Sequence, residues 1–446
     1  MYQRLTFAHT THSKDPLLSC ALEGVASVVA GIRDVSIVIH SPQGCASTVN
    51  AAYDKHEMDQ TQRKIACTRL FESDIIMGAT EKLEKIIRQA EKNFAAQVMF
   101  VVGTCSADII GEDIAAVCRN LQPEVSAKLI PVIAGGFRGH SNIGIDLGFN
   151  ALLPLVEPSA MTMSRTVNLI APQASANASW QSDWHWVKSV LTELGIEVIA
   201  TLAHDATLEE VAKAGQAQAN ILLSHDAGYG FARQMEKIHH VPLILADLPL
   251  PIGLTNTARW IRGLCKHFEL DGQAEPIIER QEDFVTRILR KRGLMMIPRY
   301  RNCKIALSAD MTMGIGMLRM LYLELEMIPE LLLFKSTTPL GEALLERELE
   351  SLGIAPRVVL NADGYQVQEA LKNADVDLVI GSAWEKYIAE ELGIQVCFDV
   401  LAPSNRVLYV SEPYFGYEGM LYLLQAFAND WERALRSKHI AWENEE

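Results

Sequence analysis

Three cysteines in this chain, Cys20, Cys45 and Cys105, have the chemistry and the positions to bind a metal cluster. Cys20 begins an apolar stretch of helical character, Cys45 lies in the turn after the hydrophobic run 35–40, and Cys105 follows the similar run 98–102. Thiolates are the usual ligands of iron–sulfur clusters, and a four-iron cluster takes four of them. Three cysteines are one short, so we expect the missing ligands to come from a second chain.

The elements that must position these cysteines are strand ends and helix starts. Such places have free backbone N–H groups and a favourable helix dipole, which suit an anionic cluster and lower the pKa of a thiol. Gly44 and Gly103, near two of the cysteines, let a bulky sulfide approach the backbone. The spacing alone leaves an alternative open, namely that all three are small buried hydrophobic residues.

Composition limits the class of protein. The chain has 446 residues, enough for about three domains, and 49% of them are hydrophobic. The net charge of −15 argues against a nucleic-acid partner. No apolar run of membrane-spanning length and no secretory signal is found, so we expect a cytoplasmic protein without a membrane partner. The eight cysteines lack zinc-site spacing, and in this setting they indicate reduced thiols or metal ligands.

Hydrophobic runs of strand type alternate with helical patterns along the whole chain. The alternation restarts near residue 166 and again near residue 304. This pattern predicts an α/β fold: three doubly wound, Rossmann-like domains with mainly parallel sheets covered by helices. We expect a cluster-binding domain at 1–158, a second domain at 159–298, and a third at 299–446 that ends in a helix.

Four segments carry a resemblance to a known family: CALEGVASVV with HSPQGCAS, VVGTCSADIIGEDI (101–114), PLPIGLTNTARWI (249–261) and YFGYEGMLYLLQAF (414–427). Together they resemble the nitrogenase molybdenum–iron protein superfamily, in particular its β-type subunit. The resemblance implies that Cys20, Cys45 and Cys105 bind a P-cluster-type (8Fe-7S) iron–sulfur cluster, or a 4Fe-4S cluster. It also implies a homologous α-type catalytic subunit in an α2β2 assembly, and an ATP-dependent 4Fe-4S reductase as electron donor.

Departures from the family pattern suggest the role. The cofactor-binding cysteine of the catalytic subunit falls at Ser224, next to His225, and no histidine stands in the run before SEPYFGYEG. No residue is therefore assigned as catalytic, and the resemblance implies an electron-relay subunit. The family's additional serine ligand falls near Gly136, and only 19 residues precede Cys20. Both features favour a nitrogenase-like reductase, with methylthio-alkane reductase, which cleaves C–S bonds for sulfur salvage, as first choice.

Other functions stay open at this point. Relatives of the same architecture are scaffolds for nitrogenase cofactor assembly, or β-type subunits of alternative nitrogenases. A chlorophyll-pathway reductase subunit is disfavoured by the three candidate cysteines. The Gly314 and Gly316 pair resembles part of a dinucleotide-binding turn, although the third glycine of that motif is missing. The chain lacks a P-loop motif, so we do not expect it to hydrolyse ATP.

Overall fold

The fold is described from a computed structural model covering residues 2–7, 19–55, 64–171, 179–292, 299–394, 396–401 and 410–442. The chain divides into two compact units. One, which we call the cysteine unit, comprises Leu18–Ser175 and Glu197–Ile244. The second unit comprises Met1–Leu17, Ala176–Ile196 and Leu245–Glu446.

The strands of the described residues are β1 (Gln3–Arg4), β2 (Val35–His40), β3 (Ile65–Cys67), β4 (Val98–Gly103), β5 (Lys128–Ile133), β6 (Thr166–Ile170), β7 (Glu197–Leu202), β8 (Ala219–Leu222), β9 (Leu243–Ile244), β10 (Lys304–Ala309), β11 (Ile328–Phe334), β12 (Arg357–Leu360), β13 (Leu378–Gly381) and β14 (Val396–Asp399). Within the described part they form three sheets, ordered β3-β2-β4-β5, β7-β6-β8-β9 and β1-β12-β11-β10-β13-β14. Every neighbouring pair in these sheets is parallel.

The helices of the same residues are α1 (Ala21–Ala30), α2 (Gln43–Lys55), α3 (Glu72–Met77), α4 (Thr80–Phe94), α5 (Cys105–Ile110), α6 (Ile114–Leu121), α7 (Ser141–Leu152), α8 (Trp180–Glu193), α9 (Leu208–Lys213), α10 (Tyr229–His239), α11 (Gly253–His267), α12 (Ala274–Arg292), α13 (Met311–Arg319), α14 (Pro339–Leu352), α15 (Gly364–Lys372), α16 (Ala383–Glu391) and α17 (Gly416–Trp442). None of the described helices combines the length and the apolar character needed to cross a membrane.

Burial explains why these sequences form these elements. All six residues of β2 and all six of β4 are buried, as expected for parallel strands that helices cover on both faces. Helix α4 is amphipathic and buries Leu83, Ile87 and Ala90, which lie along one face. These side chains join the core cluster formed by the strands and by α6. The predicted α/β class with parallel sheets is therefore confirmed.

Two local predictions were wrong. Gly314 and Gly316 lie inside helix α13 and not in a turn after β10. A Cβ at Gly314 would come 2.6 Å from the Phe334 ring, and one at Gly316 would come 2.7 Å from Ile252. Both glycines therefore allow close packing of α13 against these side chains. The structure does not support a dinucleotide-binding turn at this position. Cys45 likewise lies in the first turn of α2, because the helix begins at Gln43.

The domain boundaries at 158 and 298 stay a prediction. Strand β1 pairs with β12, at Gln3 with Arg357 and Arg4 with Val358, so the first strand belongs to the sheet of the C-terminal part. Helix α8 belongs to the second unit, although β6 and β7 on either side of it belong to the cysteine unit.

Candidate cluster site

Three cysteines lie at one edge of the β3-β2-β4-β5 sheet. Cys67 is the last residue of β3, Cys45 follows β2 in the first turn of α2, and Cys105 follows β4 as the first residue of α5. These three strands are neighbours and run parallel. Because the carboxyl ends of parallel strands meet at the same edge, the topology brings the three thiols to one place.

Cys20 reaches the same edge from a different part of the chain. It precedes α1 with extended backbone geometry and forms an antiparallel bridge with His140. The N–H of Ser141 donates to the carbonyl of Ser19 at 2.9 Å, and the N–H of Ala21 donates to the carbonyl of Gly139 at 3.1 Å. The segment 139–141, which follows β5 in the sequence, therefore holds Cys20 in place.

The close crossing of α1 and α7 fixes this arrangement. A Cβ on Gly144 would lie 1.9 Å from the Ala21 carbonyl oxygen, and one on Gly24 would lie 2.0 Å from the Ser141 carbonyl oxygen. Only glycine at both positions permits such an approach. The contact lies within the first turns of both helices, next to Cys20.

Gly136 lies close to both Cys20 and Cys105. Its N–H donates to the Cys105 Sγ at 2.9 Å. A Cβ at this position would lie 3.3 Å from that sulfur and 3.5 Å from the Cβ of Cys20. Glycine thus leaves space beside two thiols and supplies an N–H of the kind that stabilises cluster sulfurs.

The electrostatics of the edge link all four thiols. Burial raises the pKa of Cys45, and negative charge on Cys20, Cys105 and Cys67 raises it further, while a hydrogen bond with Ser41 lowers it. Thiols gathered in one place repel one another when they are ionised together. Such a set is stabilised by a positively charged group bound among the sulfurs.

The residues fit an iron–sulfur cluster better than a single ion. Within the described part of the chain, no three His, Cys, Asp or Glu side chains are placed to hold one metal ion. The donors at the edge are thiols, which favour iron–sulfur clusters. The space beside Gly136 and its N–H group aimed at the Cys105 sulfur suit a bulky sulfide-containing group.

The remaining cysteines divide by burial. Cys118 and Cys265 are buried, while Cys303 and Cys397 are half-buried. Burial raises the pKa of the Cys118 thiol to about 12. Cys67 differs from these four, because it stands at the same sheet edge as Cys45 and Cys105.

A buried pair at this edge was missed by sequence reasoning. His40, the last residue of β2, contacts the carboxylate of Glu112 through its Nε2, and both side chains are buried. Glu112 also accepts the N–H of Ala79 at 2.5 Å, and the Thr104 hydroxyl donates to the His40 carbonyl at 2.9 Å. Burial lowers the pKa of His40, although Glu112 acts in the opposite direction. The pair ties the segments that carry Cys45 and Cys105 to α4.

Ser224 and His225 lie elsewhere in the cysteine unit, after β8, and both are buried. The Ser224 hydroxyl accepts the N–H groups of Asp226 and Ala227 at 3.0 and 3.3 Å. Ser224 thus serves a local turn. Most of the run before SEPYFGYEG, residues 402–409, lies outside the described residues.

Large apolar side chains are exposed near the cysteines, and we call them the apolar rim. Ile109 follows Cys105 in α5, and Phe137 follows Gly136; both are exposed. Helix α3, which contacts α5, and the residue just before it add the remaining members. The apolar rim comprises Phe71, Ile76, Met77, Ile109 and Phe137. Exposed apolar side chains gathered next to a polar site are typical of protein–protein interfaces.

Comparison with known proteins gives a consistent family. The model of the family "Nitrogenase component 1 type Oxidoreductase" matches residues 20–432. The nitrogenase iron-molybdenum cofactor biosynthesis protein NifE of Rhodobacter capsulatus is 30% identical over 60% of this chain, which spans 56% of that relative's length. The nitrogenase vanadium-iron protein beta chain of Trichormus variabilis is 23% identical over 95% of both chains. The solved structure of nitrogenase Cp1 at pH 6.5 has a TM-score of 0.81 at 18% identity, over 97% of this chain and 96% of that one, and so shares the fold.

Proposed function

Because the chain belongs to the nitrogenase component 1 type oxidoreductase family, we propose that it is the electron-relay subunit of a nitrogenase-like reductase. The observation that carries the proposal is the meeting of Cys20, Cys45 and Cys105 at one sheet edge, beside the apolar rim. These cysteines would hold an iron–sulfur cluster of P-cluster type, or a 4Fe-4S cluster. When bound, the cluster supplies one-electron transfer.

The partners follow from the ligands and the exposed surface. A homologous α-type subunit would close the cluster with its own thiolates and hold the substrate-side cofactor, in an α2β2 assembly. Ser224 supports this division of roles, since a hydroxyl engaged in a local turn replaces the thiol expected in a cofactor-binding subunit. An ATP-dependent 4Fe-4S reductase would deliver electrons at this edge.

The protein's own contribution is to position the cysteine ligands and to shield the cluster from solvent. Gly136 donates an N–H to the Cys105 sulfur, and the α1–α7 crossing fixes Cys20. The buried contact of His40 with Glu112 holds the ends of the cysteine-bearing segments together. Hydrogen bonds to sulfur and burial are the means by which a protein sets a cluster potential. For the substrate we propose methylthio-alkanes, whose C–S bond would be reduced in the partner subunit.

The test uses the complex purified without oxygen, as wild type, Cys105→Ala and Cys303→Ala. Cys303 is half-buried like Cys105 but lies in the second unit, so it is the matched control. We expect Cys105→Ala to lose cluster iron and reductase turnover while Cys303→Ala keeps both. If Cys105→Ala retained full iron and turnover, the proposed function would be wrong.

A second candidate is a scaffold for cofactor assembly, favoured by the likeness to the NifE of Rhodobacter capsulatus. A third is a β-type subunit of an alternative nitrogenase, favoured by the likeness to the vanadium-iron beta chain. Incubation of the iron-loaded complex with an apo-nitrogenase separates the first two functions. A scaffold transfers its cluster and activates the acceptor, whereas a relay subunit retains its iron. Substrate assays with dinitrogen and with a methylthio-alkane separate the relay from the nitrogenase subunit.

A further inference from the structure

An ion pair between Asp108 and Arg138 lies beside Cys105, and the proposed function gives it no role. The Arg138 Nη2 lies 3.7 Å from the Asp108 Oδ1, and both residues belong to the cysteine unit. Asp108 stands three residues after Cys105 in the first turn of α5, and Arg138 is the last residue of the short helical turn Gly136–Arg138. The pair therefore joins the two segments that meet at the Cys105 sulfur.

The Asp108 carboxylate lies against the backbone of the segment that carries Arg138. A Cβ on Gly135 would lie 2.4 Å from the Asp108 Oδ2 and 3.2 Å from the backbone nitrogen of Cys105. The next residue, Gly136, donates its N–H to the Cys105 Sγ at 2.9 Å. The carboxylate and the sulfur thus lie beside neighbouring residues of one turn, so the charge on Asp108 is close to a group bound by that sulfur.

The pair is only partly shielded from water. The Asp108 side chain is 28% exposed and the Arg138 side chain is 48% exposed. Phe137, which stands between Gly136 and Arg138, is 75% exposed and belongs to the apolar rim. A partner subunit that covers the apolar rim would also exclude water from this pair. Charges that lose their solvent act more strongly on their neighbours, because the local dielectric constant falls.

We propose that Asp108 and Arg138 are a charge pair that sets the reduction potential of the cluster bound through Cys105. Reduction adds negative charge to the cluster, so the Asp108 carboxylate lowers the potential and the Arg138 guanidinium raises it. In the intact pair the two effects largely offset one another. The inference rests on the proposed cluster-binding function and adds to it two residues that act by charge and are not ligands.

The test uses the complex purified without oxygen, as wild type, Arg138→Gln, Asp108→Asn and the double variant with both changes. Iron content is measured first, and the reduction potential is then obtained by redox titration followed by electron paramagnetic resonance. The signal that is missing from the Cys105→Ala complex identifies the cluster. Arg119→Gln is the matched control, because Arg119 lies 3.9 Å from Asp113 in a more exposed ion pair of the same unit.

We expect Arg138→Gln to lower the potential and Asp108→Asn to raise it. Each change should alter the ratio of reduced to oxidised cluster, at a fixed solution potential, by about threefold to tenfold. The double variant and Arg119→Gln should keep potentials close to that of the wild type. Opposite shifts are specific to a charge effect, since the loss of a merely structural contact would move both potentials in the same direction.

The outcomes separate the inference from the function. Unchanged potentials in both single variants, shifts in the same direction, or loss of iron from either variant would overturn the role of the pair and leave the proposed function intact. If the Cys105→Ala complex kept its iron and all of its signals, the proposed function itself would be refuted.

Discussion

The α1–α7 crossing gives a sharp prediction, because backbone meets backbone there. In Gly144→Ala the new Cβ would lie 1.9 Å from the Ala21 carbonyl oxygen and 2.6 Å from its carbon. A carbon and an oxygen normally approach no closer than about 3.3 Å, so the helices must separate by more than about 1 Å. No side-chain rotation relieves this contact, since the obstacle is the backbone of α1.

The magnitude follows from two opposing effects. Alanine is a better helix former than glycine by about 1 kcal/mol. Overpacking of this kind costs about 1–3 kcal/mol and more where backbone must shift, so we expect Gly144→Ala to lower the free energy of unfolding by about 2 kcal/mol. Gly230, in α10, is the matched control, because outside its chain neighbours and its own helix backbone no heavy atom of the described residues lies within 4 Å of its Cβ position. Gly230→Ala should raise stability by up to about 1 kcal/mol.

Urea unfolding measures the change in the free energy of unfolding for both variants. Hydrogen exchange of peptides from α1 and α7 shows whether the loss of stability in Gly144→Ala lies at the crossing. Because Cys20 immediately precedes α1, the Gly144→Ala protein should also retain less iron than the Gly230→Ala protein. An unfolding free energy for Gly144→Ala within about 0.5 kcal/mol of wild type, with unchanged exchange in α1, would refute the proposed crossing contact.

Three further predictions concern buried groups. Asp183 accepts N–H groups from Tyr414 and Phe415, and burial raises its pKa to about 7. The folded-state pKa of this carboxyl group lies above its unfolded-state pKa, which is near 4, so the folded protein binds the proton more tightly. The resulting stabilisation is complete below about pH 4 and is lost as the pH rises toward 7. Between pH 4 and pH 8 the free energy of unfolding of the wild type should therefore fall by up to about 4 kcal/mol relative to that of Asp183→Asn. Urea unfolding at several pH values measures both proteins, and free energies of unfolding that change equally with pH would contradict this. Because burial raises the pKa of Cys118 to about 12, iodoacetamide at neutral pH should label exposed Cys20 and spare Cys118 in the native protein, as mass spectrometry would show. Arg319 donates to buried Glu348 at 2.5 Å, and Arg259 also contacts that carboxylate. Arg319→Met should lower the free energy of unfolding, measured with urea, by about 3 kcal/mol, and the double variant Arg319→Met/Glu348→Met should recover part of this loss. If Arg319→Met has the same free energy of unfolding as the wild type, the ion pair contributes nothing to stability.

Much of the fold was predictable, because its strands are continuous apolar runs. Residues 35–40 and 98–102 are buried throughout, and the predicted α/β class follows from such runs alternating with amphipathic helices such as α4. Glycines were predicted less well. Gly314 and Gly316 have the spacing of a turn, but their role depends on Phe334 and Ile252, which are distant in sequence.

The candidate site was predictable only in part. The positions of Cys20, Cys45 and Cys105 after apolar runs and at helix starts identified three of the four thiols at the edge. For Cys67 the sequence predicts core packing, although its place between two candidate ligands marks it as the remaining cysteine that could lie nearer the site; its actual position depends on the pairing of β3 with β2. The contact of His40 with Glu112 joins residues 72 positions apart and likewise depends on the tertiary fold.

Anomalous diffraction at the iron absorption edge, from crystals of the complex purified and grown without oxygen, would show directly whether these cysteines bind an iron–sulfur cluster. We expect iron peaks within bonding distance of the sulfurs of Cys20, Cys45 and Cys105, at the carboxyl edge of the β3-β2-β4-β5 sheet. Iron bound elsewhere in the chain, with those three sulfurs free of metal, would contradict it.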